Sequence, residues 1–351
     1  MTAIKQLIIS SIPVLFIAGC IGPNTEGLWS VSVDQILQTS GYARDVSVDN
    51  DVVFVAAGEA GAQIWDINNS NNPSLLYSLS LDEIGAGKEI SQIHYSSVNN
   101  LLHLLETNER PYLFLLNDST LEFTPFGQYG AEDMREFIVI DSALFYIYYS
   151  VIKKHHHLKW QRIEGGVSFG IPYWDTDSTS NGSELDVNAI PSSIDQINNR
   201  IIIGVGQLGI QSWQIESFDA DPNFHYSIDL NGTVQSVKLI DENNLYISSG
   251  SYGAFYIPLD NIELDTGNNV INHDAIIHFA EDLTVDHISI KGNIAALSLG
   301  TKGIALYDVT DPAQPIEKGI FDIGYVYKSQ FWGEKLLVCS REGLQILTVE
   351  Y

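Results

Sequence analysis

The feature that most constrains this chain is a segment that recurs. Residues 282–315, DLTVDHISIKGNIAALSLGTKGIALYDVTDPAQP, read as three short strands joined by two tight turns. An alternating run covers 285–290, Lys291-Gly292-Asn293 reverses the chain, and 294–299 returns as an apolar run. Gly300-Thr301-Lys302-Gly303 reverses it again before a third run over 304–309. Asp311-Pro312 with Pro315 then opens a fourth excursion. Residues 41–67 have the same three runs and a Gly58-x-x-Gly61 turn. Gly206 to Gly209, Gly250 to Gly253 and Ser340 to Gly343 mark further copies. From Gly209 through Gly253 and Gly303 to Gly343 the steps are 44, 50 and 40 residues, and the 148 residues from Gly61 to Gly209 hold two degenerate copies, over 93–116 and 137–163. That makes seven. A four-stranded unit of about 40–50 residues in tandem predicts an all-β fold, a β-propeller of seven four-stranded blades.

The N-terminal segment has a place in that ring. LWSVSVDQI at 28–36 lines up with LYSLSLDEI at 76–84, the predicted fourth strand of the first copy, 48 residues later. The seventh copy reaches Tyr351 after three strands. The segment at 28–36 is therefore predicted to supply the missing strand, since an open blade would expose unpaired backbone. The expected organisation is a leader over 1–19, a tether over 20–27 and one propeller domain over 28–351.

The repeats also resemble the LVIVD-repeat family. Asp45-Val46-Ser47-Val48, Val53-Phe54-Val55-Ala56, Gly61-Ala62-Gln63-Ile64-Trp65-Asp66 and Pro73-Ser74-Leu75-Leu76 follow its strand pattern, as do Gly303 to Asp308 with Asp311-Pro312. The resemblance implies a bacterial cell-surface propeller and implies no defined chemistry.

Residues 1–19 carry one positive charge, Lys5, and an apolar stretch over 7–17 that is too short to span a bilayer. Ile17-Ala18-Gly19-Cys20 looks like a lipobox, in which Cys20 becomes the lipidated mature N-terminus. Ile21 is not the aspartate associated with inner-membrane retention, so an exported lipoprotein of the outer membrane or cell surface is expected. The competing reading is an ordinary leader that happens to contain a cysteine. With Cys20 acylated, Cys339 stands alone in an apolar strand and is read as a buried small hydrophobe. The net charge of −27 opposes nucleic acid and anionic lipid as partners.

Candidate chemistry is sparse. The third copy replaces the short glycine turn with a loop containing His155, His156 and His157, expected to bind no structural metal because consecutive residues do not converge. Its fourth strand, expected near 167–173, is followed by an acidic stretch in which Asp175, Asp177 and Asn181 are weak calcium candidates, though the spacing misses the EF-hand pattern. No other cofactor is implied. The glycine turns supply positive φ and precede no helix, which removes the phosphate-loop reading. Asp66 and Asp308 are expected to bond to nearby turn backbone, and Trp65, Trp160, Trp213 and Trp332 to pack between blades. Propeller geometry puts the start of each innermost strand at one mouth of the central channel. That names Arg44, Asp45, Gln92, Glu136, Ser236, Asp286, His287 and Lys328 as a candidate ligand-binding ring. Two functions follow. One is a membrane-anchored binding scaffold for a protein or glycan on the loop-rich face; the alternative is an extracellular hydrolase or lyase using the channel mouth.

Overall fold

The computed structural model describes residues 27–69, 72–117, 122–128, 133–140, 143–152, 154–168, 171–176, 182–185, 190–216 and 222–351, with backbone only over 162–189. These residues build a seven-bladed propeller of antiparallel sheets. From innermost to outermost strand, blade 1 is Asp45–Asp49, Val52–Ala56, Ala62–Asp66 and Ser74–Leu79. Blade 2 begins with Gln92–Ser96, blade 3 with Met134–Ile140, blade 4 with Ser193–Ile197 and blade 5 with Ser236–Leu239. Blade 6 begins with His287–Lys291 and blade 7 with Val326–Trp332.

Second strands such as Leu101–Leu105 and Ile294–Ser298 are buried along their whole length, because both faces are covered by adjacent blades. Their sequences are accordingly mostly apolar rather than alternating, broken only by His103 and Ser298. The core is divided into layers between neighbours: Phe54 and Ile64 of blade 1 pack on Tyr95, Leu102 and Leu104 of blade 2. Trp160 and Trp213 pack in the layer between blades 3 and 4, and Trp65 and Trp332 pack against the layer between blades 7 and 1. Cys339 is fully buried in that last layer, as a small apolar residue would be. Asp66 and Asp308 bond to turn backbone, accepting from the Asn68 and Thr310 N–H groups at 2.9 and 3.0 Å.

The ring is closed as the repeat alignment predicts. Ser30–Leu37 pairs antiparallel with Gly343–Glu350, from Ser30 opposite Glu350 to Leu37 opposite Leu344. Lys335 Nζ and Thr348 Oγ1 both donate to Asp34 Oδ2 at 2.7 Å and pin the added strand.

The recurring turn has a second task. The carbonyl of its first residue accepts an N–H from the segment leading into the next blade: Ile90 to Gly58, Val234 to Gly206, Val285 to Gly250, Val326 to Gly300 and Ala43 to Ser340, all at 2.8–3.0 Å. All five of these donors are completely buried. The second glycine is required sterically. At Gly303, where φ is +82°, a Cβ would stand 2.1 Å from the Phe321 carbonyl oxygen of the outermost strand.

Blade 3 departs from expectation. His155, His156 and His157 do not form a loop; they open the long third strand His155–Ser168, opposite Ser150, Tyr149 and Tyr148. His156 and His157 are buried there. Nor is the fourth strand at 167–173. Residues 163–168 pair with Ile171–Thr176 as a hairpin that runs past the end of the blade, and Gly182–Leu185 pairs with 156–159 as the outer strand. The chain around Asp175 therefore lies beyond the face opposite the glycine turns. It is not on the turn face, where a connection to the next blade would stand. The sequence alone hid this because a protruding hairpin has the same strand–turn–strand pattern as the outer edge of a blade. Cys20, Asp177 and Asn181 lie outside the described residues.

Candidate functional site at the channel mouth

First strands of all seven blades line the channel, and their side chains bond blade to blade. Asp45 Oδ2 accepts from Ile93 N–H at 3.0 Å and Ser47 Oγ from Tyr95 N–H at 3.0 Å. Gln92 both donates to the Phe137 carbonyl and accepts its N–H. Asp195 Oδ2 accepts from Leu239 N–H at 2.8 Å, and Ser236 Oγ from Ile288 N–H at 3.2 Å. Polar residues recur at these positions because each buried amide of the next strand needs an acceptor.

The predicted ring is thus partly a seam. Asp45, Gln92, His287 and Lys328 line a channel cavity of about 590 Å³. Glu136, Ser236, Asp286, His287 and Lys328 line a smaller cavity of about 230 Å³ at the mouth. Arg44 is not in either lining. It turns onto the rim, where Nε and Nη2 donate to Glu89 Oε2 at 3.2 and 2.8 Å.

Charges in the channel are unevenly matched. Lys328 Nζ lies 3.3 Å from Asp45 Oδ1, and Lys238 Nζ 3.2 Å from Asp195 Oδ2. Burial alone would lower the Lys328 ammonium, but the Asp45 and Glu136 carboxylates outweigh it and hold it above its ordinary value. Glu136 accepts from Gln92 Nε2 at 3.0 Å. Burial pushes its carboxyl up to about 7, opposed by Lys328 and reinforced by Asp45. Burial, with Lys328 and Lys238 nearby, drives His287 down to about 3. His287 is therefore neutral, and its Nδ1 accepts from Ser329 N–H at 3.5 Å. That bond ties His287 into the seam between blades 6 and 7. Asp286 is raised by burial.

Sequence reasoning missed two groups. The first is Asp195 with Lys238. Asp45 and His287 stand 13 residues before Gly58 and Gly300, and the same interval before Gly206 gives Ser193, the start of the blade 4 strand that carries Asp195. The second is a cluster on the rim. Tyr325 and Tyr327 have ring centroids 4.8 Å apart, and Tyr42 lies 6.4 Å from Tyr327. Arg44 Cζ is 4.5 Å from the Tyr327 centroid, and Arg341 Cζ is 4.1 Å from that of Tyr325. These residues come from opposite ends of the chain and meet only because the ring closes, so no local pattern marks them. Among the described residues, no group of three or more His, Cys, Asp or Glu side chains is placed to hold a metal ion.

Residues 40–80 and 284–323, which cover blade 1 and blade 6, each match the model of the LVIVD repeat. No curated protein matches the chain in sequence. Among solved structures, the WD40 β-propeller domain of Doa1 is similar with a TM-score of 0.63 and 12% identity, covering 91% of this chain and 96% of that one. Sqt1 of Saccharomyces cerevisiae has a TM-score of 0.58 and 13% identity, with coverages of 88% and 83%. The computationally designed Ika8 protein has a TM-score of 0.58 and 10% identity, with coverages of 89% and 97%. At these identities the likeness is one of fold.

Proposed function

We propose that this chain is a membrane-tethered binding scaffold, exported as a bacterial surface or periplasmic lipoprotein, which offers its channel mouth to a partner. The observation that carries the reading is the make-up of that mouth. It is an open polar cavity rimmed by stacked Tyr and Arg side chains, and the lining histidine is spent on a blade seam. Rigid aromatic and arginine side chains are the groups that anchor protein interfaces. The lipobox at Ile17 to Cys20 and the LVIVD match support the tether and the bacterial surface location. Since the outer-strand segment starts near Leu28, seven residues separate it from Cys20, a reach of about 25 Å at ~3.5 Å per residue.

A photo-crosslinking amino acid at Thr301 beside the mouth, and in parallel at Asp51 on the other face, tests this in cells that make the protein. Protein adducts formed at Thr301 and absent at Asp51 are expected. A scaffold role is contradicted if the purified protein turns over esters, glycosides or lactones and Glu136→Gln abolishes that turnover, which is the behaviour of an enzyme using the channel.

A further inference from the structure

Arg341 occupies a turn position that four other blades fill with Glu59, Gln207, Ser251 and Thr301. Blade 7 has Ser340-Arg341-Glu342-Gly343 where blade 6 has Gly300-Thr301-Lys302-Gly303. Its guanidinium lies on the Tyr325 ring, 5.8 Å from the Tyr42 centroid, and its Nε donates to Tyr327 Oη at 3.3 Å. Its aromatic neighbours are these three tyrosines, neutral phenols, and among the described residues no carboxylate pairs with it. The adjacent Glu342 carboxylate lies against Gly324. Arg44, by contrast, is paired with Glu89. In a chain with 44 acidic and 17 basic residues, an arginine held on aromatic rings without an acid partner is conspicuous. Stacking leaves the edge of a guanidinium plane and its remaining N–H donors free, a fork that fits a carboxylate.

We propose that Tyr42, Tyr325, Tyr327 and Arg341, with Arg44 beside them, form a docking site for an acidic side chain carried on a protein partner; this deepens the scaffold reading and rests on it. Arg341 takes the carboxylate through its free N–H donors. The tyrosine faces cover the aliphatic part of the bound side chain and the backbone next to it. Tyr327 also lines the mouth cavity, together with Asp286, Asp195 and Lys238, so flanking donors and acceptors of the same segment meet polar groups of both signs. An isolated carboxylate suits the site better than a polyanion. The surrounding field is negative: Glu89, Asp286 and Glu342 all lie near the rim, and the whole chain carries −27. A chain of acidic sugars would be repelled along its length, whereas a peptide brings one acid among neutral or basic neighbours.

The test reads the arginine directly. Arg44, Arg110, Arg135, Arg162, Arg200 and Arg341 are the six arginines, so side-chain Nε–Hε resonances of the ¹⁵N-labelled protein are few, and Arg341→Lys assigns one of them. N-acetylglutamate α-methylamide is the probe, its glutamine analogue the neutral control and tri-galacturonate the glycan control. The Arg341 resonance should move saturably, at concentrations roughly ten-fold below those that move Arg110, Arg135, Arg162 and Arg200, the four outside the rim. The glutamine analogue should leave it in place, and Tyr325→Ala should weaken the response about five-fold, since stacking on a ring contributes on the order of 1 kcal/mol. Equal response to the glutamine analogue, or an Arg341 resonance no more sensitive than those of the four arginines outside the rim, overturns the site. A stronger response to tri-galacturonate overturns the protein assignment. A wild-type protein that forms no crosslinked adduct sinks the scaffold reading, whereas an indifferent Arg341 sinks the docking site whatever is crosslinked.

Discussion

Glu136 is a buried carboxyl in the channel, and its environment departs far from solution. Burial pushes its carboxyl up to about 7 from an ordinary 4.5, so the folded state binds more protons than the unfolded state between those limits. Its contribution to stability is favourable at low pH and is lost as pH rises from about 4.5 to about 7. Glu136→Gln should remove that loss. The variant's advantage over wild type should be near zero at pH 4.5 and grow to about 1–2 kcal/mol at pH 8, allowing for water in the channel. Denaturant melts at the two pH values check this; an advantage that shrinks with rising pH would contradict the assigned shift. His287, held near 3, has the opposite slope, contributing stability that is lost as pH falls from about 6.5, so melts are best compared variant against wild type. Gly303→Ala makes a second residue-scale case, with positive φ and a Cβ driven into the Phe321 carbonyl. It should cost about 3 kcal/mol in urea melts, whereas Gly292→Ala, also at positive φ with open space around it, should cost about 1 kcal/mol. Equal costs would mean that close approach to the outer strand is not what the second glycine provides. The channel residues were legible at this scale because the repeat interval places them. Arg44 was not, since a position beside the channel says nothing of which way a long side chain folds.

At the scale of elements, the added strand is the most consequential. Removing residues 28–36 strips the pairing from Gly343–Glu350, the Lys335–Asp34 ion pair and the Trp29 and Val31 contacts with the layer between blades 6 and 7. At roughly 1.5–3 kcal/mol per buried side chain the loss is several kcal/mol, or about 10 °C in Tm. A truncated protein melting within 2–3 °C of the full chain, by the same scaling, would contradict closure by this strand. This element was legible because 28–36 repeats 76–84 nearly position for position. Blade 3 was not. Its histidines look like a loop in sequence, yet they pair along a strand, with His157 stacked at 5.2 Å on Tyr148. Replacing all three with serine would be neutral in a loop; in the strand it should lower Tm, since His156 and His157 are buried. Zinc calorimetry on the wild type is expected to show at most weak binding, and sub-micromolar affinity lost in the serine variant would reverse that expectation.

Over the whole molecule, strand direction links the tether to the mouth. Each first strand begins on the face of the recurring turns, and Ser30 at the start of the closing strand lies opposite Glu350, where the third strand of blade 7 ends. That end is on the other face, beside the turn after Asp49 and on the side past which the 163–176 hairpin extends. A lipid on Cys20 would hold this face near the bilayer and leave the mouth, with its Tyr–Arg rim, turned to solvent. The most direct test places a fluorophore on a single cysteine in a Cys339→Ser background, at Thr301 by the mouth or at Asp51 on the other face. The lipidated protein is then reconstituted in vesicles containing headgroup-quencher lipid. Stronger quenching at Asp51 than at Thr301 is the predicted result. Stronger quenching at Thr301, or none at either position, would contradict a tethered propeller that presents its mouth to a partner.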